Sequence, residues 1–304
     1  MDAVADRHLD RRPAPTAMNT RPYALGYSES EFRRLEFQGD LFRDFTEDVL
    51  RRAGLAPGMQ VFDIGCGVGD VSLLAADLVG PSGEVLGIDR SKDALDVAKR
   101  RAAAAGRRNV RFAVTELDAF STGRKFDAVI GRLILAYMPN PGATLRRLLT
   151  CLRPGGIVAF QELLPRLARS IPEGPQFHLC SQWILDTFER AGFDNDMGGK
   201  LFATFLAAGL PAPQMIAAGR VEGSAQSPVY DYLAAVLRSL LPMTEQVGVA
   251  TAAEVDIDTM AERLRSEAVA NNASIMLPPL VGAWTRLPSA GLTRSTTDSG
   301  TARG

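Results

Sequence analysis

Residues 57–162 alternate between two hydrophobic patterns. Five short apolar runs are separated by segments in which apolar residues recur three and four positions apart, as Leu145, Leu148, Leu149 and Leu152 do. Runs of about five apolar residues are typical of buried strands, and the three-four spacing is typical of helices packed on one side. Short strands that alternate with helices predict a parallel, doubly wound α/β sheet with helices on both faces. The predicted strands lie at 61–64, 85–89, 110–114, 126–130 and 157–160.

Residues 21–56 precede this core and carry one well-marked helix. Ser28 and Glu31 have the spacing of a capping box, which predicts a helix start at Ser28, and Gly54 predicts its end. Gln38 falls on the apolar face of this helix, so its amide needs a partner from the protein or from a ligand.

The pattern changes after residue 162. Helices are predicted within 163–210 and over 228–241 and 254–271, with two further strands at 212–221 and 274–286. Insertions before the last strands of such a sheet lie over the carboxyl ends of its strands, where ligands bind.

These patterns predict a Rossmann-like, mainly parallel seven-stranded sheet with helical cap insertions. The chain is then divided into five parts: a disordered leader (1–20), a helical cover of a cofactor site (21–56), a cofactor-binding core (57–162), a helical substrate cap with the last strands (163–287), and a disordered tail (288–304).

Composition excludes several classes of protein. The 304 residues carry 34 basic and 35 acidic side chains, which disfavours a dedicated nucleic-acid binder because such proteins need a basic surplus. No apolar run approaches the ~18 residues of a membrane span, and the first residues lack the apolar core of a signal peptide. Cys66, Cys151 and Cys180 do not imply a disulfide framework. We therefore expect a cytoplasmic protein that acts on neither nucleic acid nor membranes.

The loop DIGCGVGD after the first strand carries the strongest chemical signal. Gly65, Gly67 and Gly69 let the backbone turn sharply and approach a ligand, which would face the first amides of the following helix. Asp89 ends the next strand, 20 residues after Gly69, where a carboxylate can accept both hydroxyls of a ribose. This order of elements predicts a nucleoside site, although the loop could also be a tight turn without a ligand.

Two acidic residues bear on which nucleoside binds. Asp70 stands where a dinucleotide loop has its last glycine, and Asp63 flanks the loop. Carboxylates repel a pyrophosphate but favour S-adenosylmethionine, which has no phosphate and carries an ammonium and a sulfonium group. The sequence therefore favours S-adenosylmethionine over NAD(P).

Five segments in order resemble class I S-adenosylmethionine-dependent methyltransferases, in the branch of ubiquinone/menaquinone-biosynthesis-type and bacterial small-molecule enzymes. They are VFDIGCGVGD, VLGIDRS, TELDAF, FDAVIGRLILAYMPNP and LRPGGIVAFQE. The leader YALGYSESEFRRLEFQ is similar to that of a subgroup whose N-terminal helix covers the cofactor. The resemblance implies that the methionine moiety is lined by Asp63, Gly65, Cys66, Gly67 and Arg132, the ribose is held by Asp89, the adenine is flanked by Arg90, Asp118 and Ala119, and the pocket is closed by Tyr23 and Gln38.

Two positions depart from the family pattern. The glycine that usually precedes the adenine-edge aspartate is Leu117 here, so Glu116 is an alternative to Asp118 at that edge. Tyr137 stands where many relatives have a histidine after the fourth strand. A histidine-based role at this position therefore does not carry over.

A base is needed only if the methyl acceptor must lose a proton, and two residues are candidates for this role or for binding the acceptor. Glu162 ends the fifth strand and His178 opens the following helix, although the first could be a solvated strand-end acid and the second a surface or core-edge histidine. Cys66 is expected to be a small loop residue rather than a nucleophile. No cysteine and histidine cluster has the spacing of a metal site.

The sequence thus predicts an enzyme that transfers a methyl group from S-adenosylmethionine to a small, aromatic or heterocyclic metabolite. The transfer would be an in-line displacement at oxygen, nitrogen or carbon of the acceptor. Two alternatives stay open: an NAD(P)-dependent oxidoreductase that uses the same loop, and a protein that binds S-adenosylmethionine without catalysis.

Overall fold

A computed structural model describes residues 23–117, 120 and 122–289. The segments predicted to be a disordered leader and tail lie outside the described residues, except for Pro288 and Ser289. The strands are β1 (Gln60–Ile64), β2 (Glu84–Asp89), β3 (Val110–Val114), β4 (Phe126–Arg132), β5 (Leu152–Leu163), β6 (Arg169–Ile171), β7 (Gln214–Ala218), β8 (Val221–Glu222), β9 (Ser274–Met276) and β10 (Leu280–Arg286). The helices are α1 (Glu29–Ala53), α2 (Asp70–Val79), α3 (Lys92–Ala104), α4 (Pro141–Leu148), α5 (Pro175–Arg190), α6 (Met197–Ala207), α7 (Val229–Gln246), α8 (Ala252–Val255) and α9 (Met260–Ala270).

The predicted sheet is confirmed. Seven of the described strands pair in the order β3-β2-β1-β4-β5-β10-β7, in which β10 runs antiparallel to both of its neighbours and the remaining pairs are parallel. The chain reverses strand order between β1 and β4, so the carboxyl ends of β1, β2 and β4 open onto one crevice. Open α/β sheets bind their ligands at such a switch point.

Both faces of the sheet are covered by helices, as the doubly wound pattern requires. On one face, Val49 and Leu50 of α1 and Leu74 of α2 pack against the sheet. On the other face, Leu145 of α4 and Leu201 of α6 fill the core. A separate core holds α5, α7 and α9 together and includes Phe42 of α1, so the cap and the N-terminal helix share buried surface. This contact places α1 between the cap and the sheet.

Local signals set the helix ends where they were expected. The Ser28 hydroxyl accepts a hydrogen bond from the Glu31 amide at 3.1 Å, and Gly54 ends α1 in the left-handed conformation with φ 91°. The capping box is only half formed, because the Glu31 carboxylate binds Arg34 instead of the backbone of Ser28. The sequence signal for the start of the helix was therefore right, and its expected second contact was wrong.

The second half of the chain differs from the predicted pattern in three ways. Strand β5 begins at Leu152, five residues earlier than expected, and a register shift against β4 absorbs the extra residues. The expected helical region 163–210 contains β6, which joins β9 and β8 in a small three-stranded sheet. The segment predicted as one strand at 274–286 is divided into β9 and β10, with the two prolines at 278–279 between them.

Candidate active site

A cavity lies at the carboxyl ends of β1, β2 and β4, beneath the N-terminal part of α1. The structure describes nine of the residues predicted to bind a cofactor, and all nine line this cavity: Tyr23, Gln38, Asp63, Gly65, Cys66, Gly67, Asp89, Arg90 and Arg132. Asp118 and Ala119 lie outside the described residues, but the alternative at that edge, Glu116, lines the cavity. The topology thus brings together side chains that are spread over more than 100 residues of sequence.

The glycine loop forms the floor of the cavity, and its backbone conformation favours glycine. Gly65 and Gly67 have φ of 63° and 51°, in the left-handed region that L side chains rarely adopt. A Cβ atom at Gly65 would lie 2.5 Å from Cδ1 of Ile134. A Cβ atom at Gly67 would have no neighbour closer than Leu35, at 3.9 Å, so it would stand in the cavity itself. Bare backbone therefore faces any ligand here.

Asp89 is fixed at the end of β2 by two backbone amides. Its Oδ2 accepts a hydrogen bond from the Gly67 amide at 2.9 Å, and its Oδ1 accepts one from the Ser91 amide at 2.8 Å. Each carboxylate oxygen has two lone pairs, so both oxygens can accept a further bond from the cavity. Burial raises the pKa of this carboxyl, and the two amides oppose that shift. The arrangement suits a vicinal diol such as a ribose.

Asp63 places a second carboxyl at the floor of the cavity. It is buried, and its Oδ2 accepts a hydrogen bond from the Ser72 hydroxyl at 2.6 Å. Burial raises the pKa of the Asp63 carboxyl to about 7, while Ser72 and Arg132 act in the opposite direction. The group therefore changes charge near neutral pH, and a cation in the cavity would favour its ionised form.

Arg132 ends β4 on the opposite side of the cavity from Asp89. Its Nη1 donates to the Thr46 hydroxyl of α1 at 3.0 Å, and its Nη2 lies 3.8 Å from Oδ2 of Asp70. The Thr46 hydroxyl in turn donates to Gln161 of β5 at 3.0 Å. Burial lowers the pKa of the Arg132 guanidinium, against Asp70 and Asp63, which raise it. These contacts tie α1 to the sheet directly at the cavity.

A buried polar network on α1 forms the roof. The Arg34 guanidinium makes a bidentate pair with Glu31 at 2.7 Å for both hydrogen bonds, and its Nη1 donates to Oε1 of Gln38 at 2.7 Å. The Tyr23 hydroxyl donates to Glu31 at 2.9 Å, and the Tyr232 hydroxyl of α7 donates to Oε1 of Gln38 at 3.0 Å. Because both donors occupy Oε1, the amide nitrogen of Gln38 is left to face the cavity.

Three tyrosines line one end of the cavity. The ring of Tyr23 lies 5.4 Å from that of Tyr27 and 5.3 Å from that of Tyr137, which also packs edge-on against Phe193 at 5.1 Å. The Arg90 Nε donates to the Tyr27 hydroxyl at 2.6 Å. Tyr23 is bonded to Glu31, so within the described part of the chain Tyr137 is the one of the three whose hydroxyl has no hydrogen-bond partner.

The structure places both predicted catalytic residues outside the cavity wall. Glu162 is buried, and its Oε1 accepts hydrogen bonds from the amides of Ile134 at 2.9 Å and Leu135 at 2.6 Å. Burial raises the pKa of its carboxyl to about 8, against backbone amides that lower it. The side chain of His178 is 63% exposed on α5 and lies 3.8 Å from Glu173. Neither side chain is among those that line the cavity, and the catalytic role of each stays a prediction.

The other predictions about chemistry concern cysteine and metal. Burial raises the pKa of the Cys66 thiol well above its usual range, so this thiol is protonated at neutral pH and a poor nucleophile. Among the residues that the structure describes, no group of three histidine, cysteine or acidic side chains is arranged to hold a metal ion. The same residues include no helix that is long and apolar enough to cross a membrane.

Arg34 and Tyr27 line the cavity but were not predicted from the sequence, and Tyr137 was noted there only as a departure from the family pattern. Arg34 stands four residues before Gln38, on the same face of the helix. A charged residue on the buried side of an amphipathic helix could have pointed to a ligand or to a buried partner. For Tyr137, only the fold brings the loop after β4 against the segment before α1.

Comparison with known proteins agrees with this geometry. Residues 55–184 match a family model described as a methyltransferase domain. The chain is 34% identical over 139 residues to the aklanonic acid methyltransferase DauC of Streptomyces sp. (strain C5), covering 41% of this chain and 62% of that protein. It is 33% identical over 123 residues to the demethylmenaquinone methyltransferase of Lactococcus lactis subsp. lactis (strain IL1403), covering 40% and 47%.

The fold extends beyond the region of sequence similarity. The YcgJ protein of Bacillus subtilis aligns with 81% of this chain and 99% of its own, with a TM-score of 0.52 at 18% identity, which is evidence for the fold alone. The matched stretches span only about half to two thirds of the curated relatives. What those relatives act on therefore does not transfer directly to the whole chain.

Proposed function

Since the chain carries a class I S-adenosylmethionine-dependent methyltransferase domain, we propose that the whole protein transfers a methyl group from this cofactor to a small aromatic or heterocyclic acceptor. The observation that carries the proposal is the cavity in which a glycine floor, the Asp89 carboxylate and the buried roof of α1 converge. A glycine floor without side chains and an acid at the end of β2 fit a nucleoside that lacks phosphate.

The residues around the cavity divide into a nucleoside end and a polar end. Asp89 would accept the ribose hydroxyls, and Arg90, with Glu116 on the facing loop, would border the adenine. At the other end, Asp63 would face the cationic part of the methionine moiety. Gln38 offers its amide N–H groups and Arg34 a guanidinium, which are suitable donors for a carboxylate.

The acceptor would bind at the end lined by tyrosines. The Tyr23 ring lies 5.4 Å from that of Tyr27 and 5.3 Å from that of Tyr137, with the planes tilted by 33° and 53°, so the rings give an aromatic lining that suits an acceptor with a ring of its own. The Tyr137 hydroxyl, which has no hydrogen-bond partner among the described residues, can orient a polar group on that ring. Two relatives are named for aklanonic acid and demethylmenaquinone, which supports a small-molecule acceptor.

The protein's chemical contribution would be orientation rather than proton abstraction. S-adenosylmethionine, when bound, supplies a methyl group that the sulfonium already activates. The buried carboxylates beside the tyrosine wall are engaged, Glu31 by Arg34 and Tyr23 and Glu162 by loop amides. Holding two groups in line can contribute about 7–11 kcal/mol to lowering a barrier, so α1 and the loop after β4 would act by fixing the acceptor and excluding water.

A calorimetric titration with S-adenosylmethionine, S-adenosylhomocysteine and NAD tests the proposal. We expect micromolar dissociation constants for the two sulfur nucleosides and no heat with NAD. Binding of NAD alone would assign the protein to the oxidoreductases. Tight binding of the sulfur nucleosides, with no methyl transfer to any member of a broad panel of phenols, quinols, indoles and amines, would favour the non-catalytic alternative.

The affinity for S-adenosylmethionine is expected to depend on pH through Asp63. Because the pKa of its carboxyl in the free protein is about 7 and the cofactor is cationic, protonation below pH 7 opposes binding. The dissociation constant should rise about tenfold between pH 7.5 and pH 6, as expected for one proton taken up. Titrations across this range measure it, and the Asp63→Asn variant should bind weakly with no such slope. A parallel slope in that variant would assign the effect to another group.

The same pKa shift predicts how the free energy of unfolding of the free protein depends on pH. The unfolded carboxyl has a pKa near 3.8, so between that value and 7 the folded protein binds more protons than the unfolded chain. The Asp63 contribution to the free energy of unfolding is therefore fully present at low pH, and it is lost as pH rises toward 7. Bound cofactor should reverse this trend, because it favours the ionised form.

A further inference from the structure

The loop after β4 (residues 133–140) is held from beneath by the end of β5. The Leu133 amide donates to the Gln161 carbonyl at 2.8 Å, and the next two amides, of Ile134 and Leu135, donate to Oε1 of Glu162 at 2.9 and 2.6 Å. Three consecutive N–H groups thus point to two consecutive residues of one strand. Glu162 is buried, so these amides are the partners that its carboxylate needs there.

This loop has an unfavourable local conformation. Leu133 has φ of 56°, in the left-handed region, although it is not a glycine. Such a conformation is unfavourable for a side chain with a Cβ atom and persists only where surrounding contacts impose it. The hydrogen bonds to Gln161 and Glu162 on the adjacent strand impose it here, because they fix the peptide groups on both sides of the Leu133 Cα.

The opposite side of the same loop forms the cavity wall. Leu133, Ile134 and Tyr137 line the cavity, and Ile134 also packs directly over Gly65 of the glycine floor. The Tyr137 amide donates to the Ile134 carbonyl at 3.2 Å, so the tyrosine is tied to one of the residues that Glu162 holds. A change at the carboxylate of Glu162 would therefore move both the tyrosine wall and the contact with the glycine floor.

We infer that Glu162 is a positioning residue, which shapes the loop between the glycine floor and the tyrosine wall through backbone hydrogen bonds and does not exchange a proton with the acceptor. The inference rests on the proposed function for what the cavity binds, but not for the loop contacts themselves. It replaces the role of base or substrate anchor that the sequence suggested for this residue.

Two substitutions separate positioning from proton transfer. Glu162→Gln removes the titratable carboxyl, but its Oε1 can still accept both amides. Glu162→Leu has similar bulk and removes the acceptor. A positioning role predicts rescue by glutamine: Glu162→Gln should bind S-adenosylhomocysteine within about threefold of the wild type, whereas Glu162→Leu should bind about tenfold more weakly or worse.

Hydrogen exchange of the full-length free protein measures the protection of the loop amides directly. In Glu162→Leu, the amides of Ile134 and Leu135 should exchange about 100-fold faster, while amides in β1 and α7 keep their protection. Thr187→Val is the matched control, because Thr187 is also buried and donates to Trp183 at 2.6 Å, but in the cap. This control should alter neither the loop exchange nor the nucleoside affinity.

Several results would overturn the inference. Wild-type protection of Ile134 and Leu135 in Glu162→Leu would show that the side chain does not hold the loop. If the leucine variant does not fold, Glu162→Asp replaces it, because the shorter side chain withdraws the acceptor from both amides, and wild-type protection in that variant would likewise overturn the inference. Loss of turnover in Glu162→Gln, with full affinity and loop protection, would identify a base instead. Failure of the wild type to bind S-adenosylhomocysteine would refute the proposed function, but the exchange result would still decide the role of Glu162 in the loop.

Discussion

Replacing Asp89 with alanine is expected to weaken S-adenosylhomocysteine binding about 100-fold. The carboxylate is held by the amides of Gly67 and Ser91 at 2.9 and 2.8 Å, and both oxygens retain a lone pair toward the cavity. Two hydrogen bonds between a ribose and a charged acceptor contribute about 1.5 kcal/mol each, and about 3 kcal/mol corresponds to about a hundredfold in Kd. Calorimetric titration measures the change, and Asp89→Asn should fall between the two.

Asp127 provides the matched control for this variant. It also accepts a backbone amide, that of Gln60 at 2.7 Å, and it pairs with Arg153 at 2.7 Å. However, it stands near the amino-terminal end of β4, whereas the cavity lies at the carboxyl ends of the strands. Asp127→Ala should therefore lose stability without a change in nucleoside affinity. If Asp89→Ala binds within threefold of the wild type, the ribose is held elsewhere.

The largest effect on stability is expected for Arg34→Met, at about 3–5 kcal/mol in the free energy of unfolding. Arg34 and Glu31 are both buried, and their side chains are 2% and 0% exposed. Removing the guanidinium leaves the Glu31 carboxylate with the Tyr23 hydroxyl and no cation, and an uncompensated buried charge destabilises a protein by this amount. Denaturant unfolding at pH 7 gives the value.

The double variant Glu31→Gln, Arg34→Met tests the physical cause. It removes both charges, so it should recover most of the stability lost in Arg34→Met. Arg33→Met is the control at the preceding residue, because Arg33 pairs with Glu29 at 2.8 Å on the exposed side of the same helix. Screening by solvent makes such a pair weak, and little change is expected. A double variant as unstable as the single one would refute the account.

Much of the fold could be predicted because its signals lie in contiguous residues. The starts of α1 and α4 are set by Ser28 and Asn140, whose side chains accept hydrogen bonds from amides three residues on. The short sheet of β6, β9 and β8 could not be predicted in the same way. Its strands have only two or three residues each, and β6 pairs with β9 about 100 residues later, so no local periodicity marks them.

The same distinction between local and distant signals applies to the candidate site. The glycine floor and Asp89 follow from a strand, loop, helix and strand that are consecutive in sequence, and the structure places all of them at one cavity. The sequence identified Glu162 as a strand-end acid, but it did not indicate in which direction the side chain points. A strand alternates the faces to which its side chains point, and only the neighbouring loop decides whether a carboxylate there meets a ligand or a row of backbone amides.

The sequence alone determined the parallel sheet, the nucleoside loop and the class of cofactor, because each depends on hydrophobic period, backbone freedom and charge within short segments. The tertiary structure decided what surrounds the reacting groups. Gln38 meets Tyr232 across 194 residues, and Arg132 meets Thr46 across 86. Such contacts form only when α1 packs between the cap and the sheet. Local sequence patterns do not indicate them, because the two partners are separated by a long stretch of chain.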